Sequence, residues 1–143
     1  MHQTYYAFNK TRESFLGLSI MSPRTLFGRL RGLLGRLRIG LGEGLWLIPS
    51  RGIHTIGMLF PIDVIYLDAD YRVIHLVEHL RPLRISPIRL RSSSLLQVPA
   101  HTIYASQTKL GDRMLICPPH EMETYLANAN GRASEETSQE ATG

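Results

Sequence analysis

The chain has 143 residues, of which 43% are hydrophobic and 20% are charged, and its formal net charge is +4 at pH 7. These values are ordinary for one soluble globular domain and exclude a disordered or fibrous class, while no apolar run approaches the roughly 20 residues of a transmembrane helix. The single cysteine, Cys117, excludes a disulfide framework and a Cys-rich zinc site, and together with the absence of a signal-peptide pattern it favours a cytoplasmic protein.

Charge is unevenly distributed along the chain. Residues 22–113 carry 13 Lys or Arg against six Asp or Glu, whereas residues 114–143 carry one Arg against five Glu. The basic part relies mainly on arginine, whose planar guanidinium pairs bidentately with carboxylates and phosphates. The sequence is therefore compatible with an anionic partner, although a solubilising surface explains the same charges.

The first predicted elements are an extension, a strand and a helix. Residues 1–14 show no clear period and are predicted to be an N-terminal extension, whereas 15–21 read as a short apolar strand. Ser22 and Pro23 are typical of a helix start, and leucines recur on one helical face over the following residues. We therefore expect one main helix at about 23–36, before a glycine-rich turn.

The remaining predicted elements are mostly strands. Residues 62–67 are apolar on both faces of a strand, which is typical of the core of a sandwich or barrel. The turn residues at 68–71 and the apolar run at 72–80 predict a hairpin partner for this strand. Other strands are predicted at 45–48, 53–59, 94–98 and 113–117, with a basic loop at 81–94 and a helical turn within 102–109.

The domain organisation follows from this pattern. Residues 15–119 are predicted to form a single β-rich domain, which makes the fold class mainly β with one main helix. Residues 120–143 form an acidic tail with too little apolar surface to offset the entropy lost on ordering. This tail is therefore predicted to be mostly disordered.

Several motifs follow one another in a fixed order. They are the arginine-rich run 24–36, Gly-Leu-Trp-Leu-Ile-Pro at 44–49, the signature Ile-His-Thr-Ile-Gly-Met-Leu-Phe-Pro-Ile-Asp-Val-Ile-Tyr-Leu-Asp at 53–68, Leu-Arg-Pro-Leu-Arg at 80–84, Leu-Leu-Gln-Val-Pro-Ala at 95–100 and Gly-Asp at 111–112. This succession closely resembles domain of unknown function family 192 over about residues 15–117. The resemblance implies a β-sandwich or barrel of jelly-roll type with one packed helix, and it implies no established activity. Two positions depart from the family pattern: Gln97 replaces the usual Glu, and His101 replaces the usual Gly.

The signature at 53–68 contains polar residues within an apolar run. A buried carboxylate or imidazole costs several kcal/mol unless it has a hydrogen-bonding partner. We therefore consider Asp63 to orient His54 in a small polar pocket, with Arg51, His54, Thr55, Met58 and Asp63 as candidate ligand-binding residues. The structural alternative is that Asp63 accepts backbone N–H groups at a turn, while a backbone carbonyl satisfies His54.

Metal and nucleophile motifs receive little support from the sequence. His75, Glu78 and His79 would suit a metal site on a helix, but on a strand the two histidines lie about 13 Å apart. The sequence contains no Walker phosphate loop and no serine-nucleophile elbow. We therefore predict no metal site and no cofactor, and we favour a protein that is not an enzyme.

The leading functional interpretation is a small, non-enzymatic binding or accessory domain. Its partner would be a small polar or anionic ligand, or another protein. One alternative is a hydrolase-like or metal-dependent enzyme that uses His54 and Asp63. Another is an arginine-mediated anion or nucleic-acid binder, with Arg81 and Arg84 as candidate anion-binding residues, although nucleic acid is disfavoured because no aromatic residues interleave with the arginines.

Overall fold

The computed structural model describes residues 3–22, 40–52 and 60–141, and seven β-strands form the body of this part of the chain. The strands are β1 (Thr4–Asn9), β2 (Ser14–Met21), β3 (Glu43–Leu47), β4 (Ile62–Leu67), β5 (Val73–Leu80), β6 (Ser94–Pro99) and β7 (Met114–Cys117). The short helix α1 (Thr102–Ser106) lies between β6 and β7, and the long helix α2 (Pro119–Ala141) follows β7.

The strands belong to a single sheet with the order β5-β4-β6-β3-β2-β1-β7. Strands β2 and β3 are parallel, and the other neighbouring pairs are antiparallel. The two outermost strands approach each other at one end, where Arg72 bridges Arg113 and the N–H of Val73 donates to the carbonyl of Asp112. The sheet therefore curls into a half-barrel, which confirms the prediction of a mainly β, barrel-like domain.

Apolar residues cover both faces of the central strands. One face contributes to the interior of the half-barrel, where Ile65 and Leu67 pack with Trp46 and residues of six other elements. On the opposite face, Val64 and Tyr66 belong to a second buried cluster. All six residues of β4 are buried, as the two-sided apolar pattern predicts.

The close approach of β3 to β6 requires a glycine at position 44. A Cβ atom built on Gly44 would lie 2.5 Å from the carbonyl oxygen of Gln97 and 2.8 Å from Cδ1 of Ile20. No real side chain tolerates such distances without displacement of the neighbouring backbone. The glycine of the 44–49 motif is therefore a packing requirement of the sheet.

The chain termini differ from the sequence-based expectation. Residues 1–14, predicted to be an extension, provide β1, which pairs with both β2 and β7 and contains the buried Ala7. The tail, predicted to be mostly disordered, is helical as far as Ala141, although every residue from 127 to 141 is exposed. The first turns of the tail pack against β1 and β7 through Met122, Tyr125 and Leu126, and the helix continues from there into the exposed residues.

Some predicted elements cannot be compared with the structure. The helix at about 23–36 and the strand at 53–59 lie outside the described residues. In the part that the structure describes, the longest helix is instead the C-terminal α2.

Candidate functional site

Asp63 is a fully buried carboxylate at the start of β4. Its Oδ1 accepts the backbone N–H of His79 at 2.9 Å, and its Oδ2 accepts the backbone N–H of Ile103, also at 2.9 Å. Both carboxylate oxygens therefore have donors, and these hydrogen bonds offset the cost of burying the group. The contacts match the structural alternative proposed for Asp63, although they do not test a ligand-binding role.

A bulge in β5 brings His79 to this carboxylate. Ile62 pairs with Leu80 and Val64 pairs with Val77, so that two residues of β5, Glu78 and His79, lie opposite the single residue Asp63. His79 has a φ of 54°, a left-handed conformation that few residues other than glycine adopt. The Asp63 carboxylate stabilises this bulge by accepting the N–H of its second residue.

The same carboxylate fixes a second histidine, His101, at the beginning of α1. His101 has a φ of 76°. It lies two residues before Ile103, whose N–H donates to Asp63. The ring centroids of His79 and His101 are 5.8 Å apart, with an angle of 42° between the ring planes. Both histidines are exposed, so the protein presents two neighbouring imidazoles above one buried anion.

An open groove of about 360 Å³ begins at His101. Its walls are the start of β2, the turn before β3 and the exposed side of α1, and they include Phe15, Leu18, Leu41 and Ala105. Most of these residues are apolar, and none of the described residues that line the groove is Asp, Glu, Lys or Arg. The groove can therefore offer contact area but little charge-based recognition.

Arg51 lies at the opposite end of β4 from Asp63. Its neighbour Ser50 donates its N–H to the carbonyl of Ser93, and the N–H of Ser93 donates to the carbonyl of Leu67 at the last position of β4. Four residues along a strand correspond to about 13 Å, so the backbone at Arg51 is well separated from Asp63 along β4. The other predicted ligand-binding residues, His54, Thr55 and Met58, lie outside the described residues, and their role stays a prediction.

Residues 81–91, which we call the basic loop, run from the end of β5 towards Arg51. Within this loop the N–H of Arg89 donates to the carbonyl of Arg51 at 2.9 Å, so two basic segments that are distant in sequence adjoin. Arg81 and Arg84, the predicted anion-binding residues, are exposed, and each already interacts within the protein.

The basic loop also exposes large apolar side chains. Leu83, Ile85, Ile88 and Leu90 are 69%, 74%, 67% and 77% exposed, respectively. The loop contains no acidic residue and no aromatic residue. Sequence analysis identified its charge but missed this apolar surface, because a hydropathy pattern does not tell whether a loop folds its leucines inward.

Hydrogen bonds hold the basic loop against the sheet. The hydroxyl of Tyr66 donates to the carbonyl of Pro87, and Ser92, the residue directly after the loop, donates its hydroxyl to the carbonyl of Ser50. Burial raises the pKa of Tyr66 and outweighs the opposing effects of the Ser86 hydrogen bond and the Arg89 charge. Tyr66 therefore remains a neutral donor.

Arg89 also meets His75 on β5. The distance from Arg89 Nη2 to His75 Nε2 is 3.5 Å, and the His75 ring packs edge-on against Tyr66 with centroids 5.0 Å apart. Burial, followed by the positive charge of Arg89, lowers the pKa of His75. The imidazole is therefore neutral at physiological pH and can accept a hydrogen bond from the guanidinium.

A separate polar network surrounds Asp112, the acidic residue of the Gly-Asp motif. Asp112 Oδ2 accepts hydrogen bonds from Asn9 Nδ2, Arg12 Nε and the N–H of Lys109 at 3.0, 3.1 and 2.9 Å. Burial tends to raise the pKa of the Asp112 carboxyl, but these hydrogen bonds and the charge of Arg12 hold it below its ordinary value. The motif is therefore part of the framework that joins β1 to the loop before β7.

The described residues give little support for a metal cluster of three or more ligands, a reactive thiol or a membrane-spanning helix. Ranges 3–22, 40–52 and 60–141 contain no group of three or more His, Cys, Asp and Glu residues arranged to hold a metal ion. Burial and the charge of Glu121 raise the pKa of the Cys117 thiol, which disfavours the nucleophilic thiolate. None of the described helices has the length and apolar character needed to cross a membrane.

Two solved structures have a similar fold. One is a protein of unknown function from Novosphingobium aromaticivorans DSM 12444, which is 18% identical, with a TM-score of 0.68 over 80% of this chain and 84% of that chain. The other, from Sinorhizobium meliloti 1021, has been suggested to be a transcription regulator and is 16% identical, with a TM-score of 0.66 over 81% of this chain and 94% of that chain. At these identities the similarity shows the fold alone.

Sequence comparison identifies the family. No curated protein matches the chain. The model of domain of unknown function family 192, described as "Uncharacterized ACR", matches residues 8–116, which include the last two residues of β1, Asp63, the basic loop and the Gly-Asp motif. The chain therefore belongs to domain of unknown function family 192.

Proposed function

We propose that this protein is a non-enzymatic binding domain, and that the basic loop together with Arg51 binds an acidic segment of another protein. The observation that carries the proposal is the exposure of four large aliphatic side chains among four arginines within residues 81–91. A soluble protein rarely exposes so many neighbouring aliphatic residues unless they contact a partner. The single cysteine is compatible with a cytoplasmic setting for that partner.

The conformation of the basic loop supports a binding role. The loop lacks regular secondary structure over most of its length, but backbone and side-chain hydrogen bonds attach it to Arg51, Ser50 and Tyr66. A loop that is already held in place loses less conformational entropy when it binds. Its aliphatic residues are therefore presented on a supported surface.

The composition of the basic loop favours a protein over a lipid or nucleic acid. Its cations are all arginines, which form bidentate pairs with carboxylates and are enriched at protein interfaces. It has no aromatic residue to stack on a nucleobase or to lie at the level of lipid headgroups. We therefore expect a partner segment in which Asp or Glu residues alternate with large apolar residues.

The protein's own acidic helix is a poor occupant of this surface. The exposed part of α2, residues 127–141, provides Glu135, Glu136 and Glu140, but its largest aliphatic side chain is alanine. It can neutralise arginines without covering Ile88 or Leu90. A partner with larger apolar side chains fits better.

Selection of phage-displayed random peptides on the immobilised full chain tests this proposal. We expect the selected peptides to share acidic residues next to large apolar ones, and their affinity to fall as salt rises from about 50 to about 500 mM. The double variant Ile88→Ser/Leu90→Ser should bind these peptides at least about tenfold more weakly. Leu110→Ser is the matched control, because Leu110 is 64% exposed and lies in a different loop.

Two results would count against the proposal. Selected peptides without an acidic-apolar pattern, or peptides that bind the double variant as tightly as the unmodified chain, would remove the basic loop from the interface. Binding to phosphatidylserine vesicles without binding to any peptide would assign the loop to an anionic membrane surface instead.

A further inference from the structure

His79 and His101, which we call the histidine pair, have no assigned role and lie outside the basic loop. We propose that the histidine pair binds a divalent transition-metal ion of the zinc type through its two imidazoles. Imidazole is a preferred ligand of zinc, nickel and copper, whereas magnesium and calcium prefer oxygen ligands. The site does not depend on the protein-binding role proposed for the basic loop.

The separation of the two rings fits a shared ion. A zinc–nitrogen bond is about 2.1 Å long, so two imidazoles on one ion place their ring centroids roughly 5 to 6.5 Å apart, depending on the angle at the metal. The centroids of the histidine pair are 5.8 Å apart, and the rings are inclined by 42° rather than stacked flat. This separation therefore lies within the range for a shared ion when one nitrogen of each ring is directed at a common point.

The backbone around the histidine pair is already fixed by Asp63. This buried carboxylate accepts the N–H of His79 with one oxygen and the N–H of Ile103, two residues after His101, with the other. Both histidines adopt left-handed backbone conformations, which histidine tolerates better than most residues other than glycine. Because the backbone at the pair is held in place, metal binding has to order only the two side chains.

The coordination of this ion would be open. The described residues provide no group of three or more potential ligands, so within this part of the chain the histidine pair supplies two ligands and leaves the other coordination positions open. Such a site binds more weakly than a closed four-ligand zinc site. His75 does not contribute, because its ring faces Tyr66 and its Nε2 faces Arg89.

Isothermal titration of the full chain with zinc chloride and with nickel chloride tests the proposal. We expect binding of one ion per chain and no binding of magnesium. His79→Asn and His101→Asn should each weaken binding at least about tenfold, because each removes one imidazole of the pair. Asparagine is chosen because it tolerates the left-handed conformation, so that the variants should fold. His75→Asn and His120→Asn are the matched controls and should bind the ion as the unmodified chain does.

A measurement on the unmodified chain keeps the test independent of how the variants fold. Paramagnetic nickel should broaden the imidazole NMR signals of His79 and His101 before those of the other histidines. Equal broadening of all histidine signals, equal affinity of the histidine-pair variants and the controls, or no binding of either metal would overturn the proposal.

Discussion

At the scale of single residues, Asp63 connects three elements with one side chain. Its carboxylate joins the start of β4 to the bulge in β5 and to the first turn of α1. Because hydrogen bonds to a charged group are stronger than neutral ones, this residue should contribute more to stability than an ordinary polar side chain. Its apolar flanking sequence indicates burial, but a sequence does not reveal which backbone groups donate to it.

Replacement of Asp63 by Asn tests this role. The amide retains one acceptor and directs an NH₂ group at the second backbone N–H, which leaves a buried donor without a partner. We expect the free energy of unfolding to fall by at least about 2 kcal/mol in urea titration. Asp70→Asn is the control, because Asp70 is exposed in the β4–β5 turn and should change stability by less than about 0.5 kcal/mol. A comparably small effect of Asp63→Asn would contradict the structural role.

At the scale of elements, the close contact between β3 and β6 depends on Gly44. Gly44→Ala places a methyl group against the carbonyl of Gln97, and we expect a loss of about 1–3 kcal/mol in the free energy of unfolding. Gly131→Ala is a contrasting substitution, because nothing lies within 4 Å of the new methyl group and alanine favours the exposed helix α2. Circular dichroism should show slightly more helix for Gly131→Ala. An unchanged urea midpoint for Gly44→Ala would contradict the packing requirement.

The elements also show where sequence patterns are informative. Strands β4, β5 and β6 follow directly from apolar runs bounded by turn residues, and the β4–β5 hairpin is confirmed by its register. Strand β1 was missed because its tyrosines and its buried Asn9 do not form an apolar alternation. One of its two partners, β7, lies at the other end of the chain, and a local pattern carries no information about such a contact.

The candidate site was predictable only in part. Asp63 was identified as a residue in need of partners, and Arg81 and Arg84 as members of a basic segment. Strand spacing alone could not reveal the histidine pair, because it depends on a bulge in β5 and on a turn about 20 residues later in the sequence. The sequence alone also does not give the distance between Arg51 and Asp63, because that distance depends on which end of β4 lies next to residues 50–51 in the fold.

At the scale of the whole molecule, the polar network around Asp112 joins the two ends of the fold. Asn9 and Asp112 are separated by 103 positions in sequence, yet their side chains are 3.0 Å apart. Together with Arg12, they attach the first strand of the sheet to the loop that precedes the last one. The contact that closes β1 onto the loop before β7 therefore depends on an ionised carboxylate.

Acid should weaken this closure. The pKa of Asp112 lies below its ordinary value of 3.8 in the folded protein, so the unfolded chain binds its proton first as the pH falls. The stabilising contribution is complete above about pH 4 and is lost as the pH falls through the lowered pKa. Asp112→Asn should be less stable at neutral pH, and its urea midpoint should fall less steeply than that of the unmodified chain below about pH 4. Parallel curves for the two proteins would contradict this assignment.

The bulge in β5 has a further consequence for behaviour at high concentration. Strand β5 lies at the edge of the described sheet, and a straight edge strand can add strands from other molecules. The extra residue at Glu78–His79 interrupts the regular ladder and twists this edge, while the side chains of these residues are polar and exposed. The feature that sets the position of His79 therefore also protects the protein against edge-to-edge aggregation.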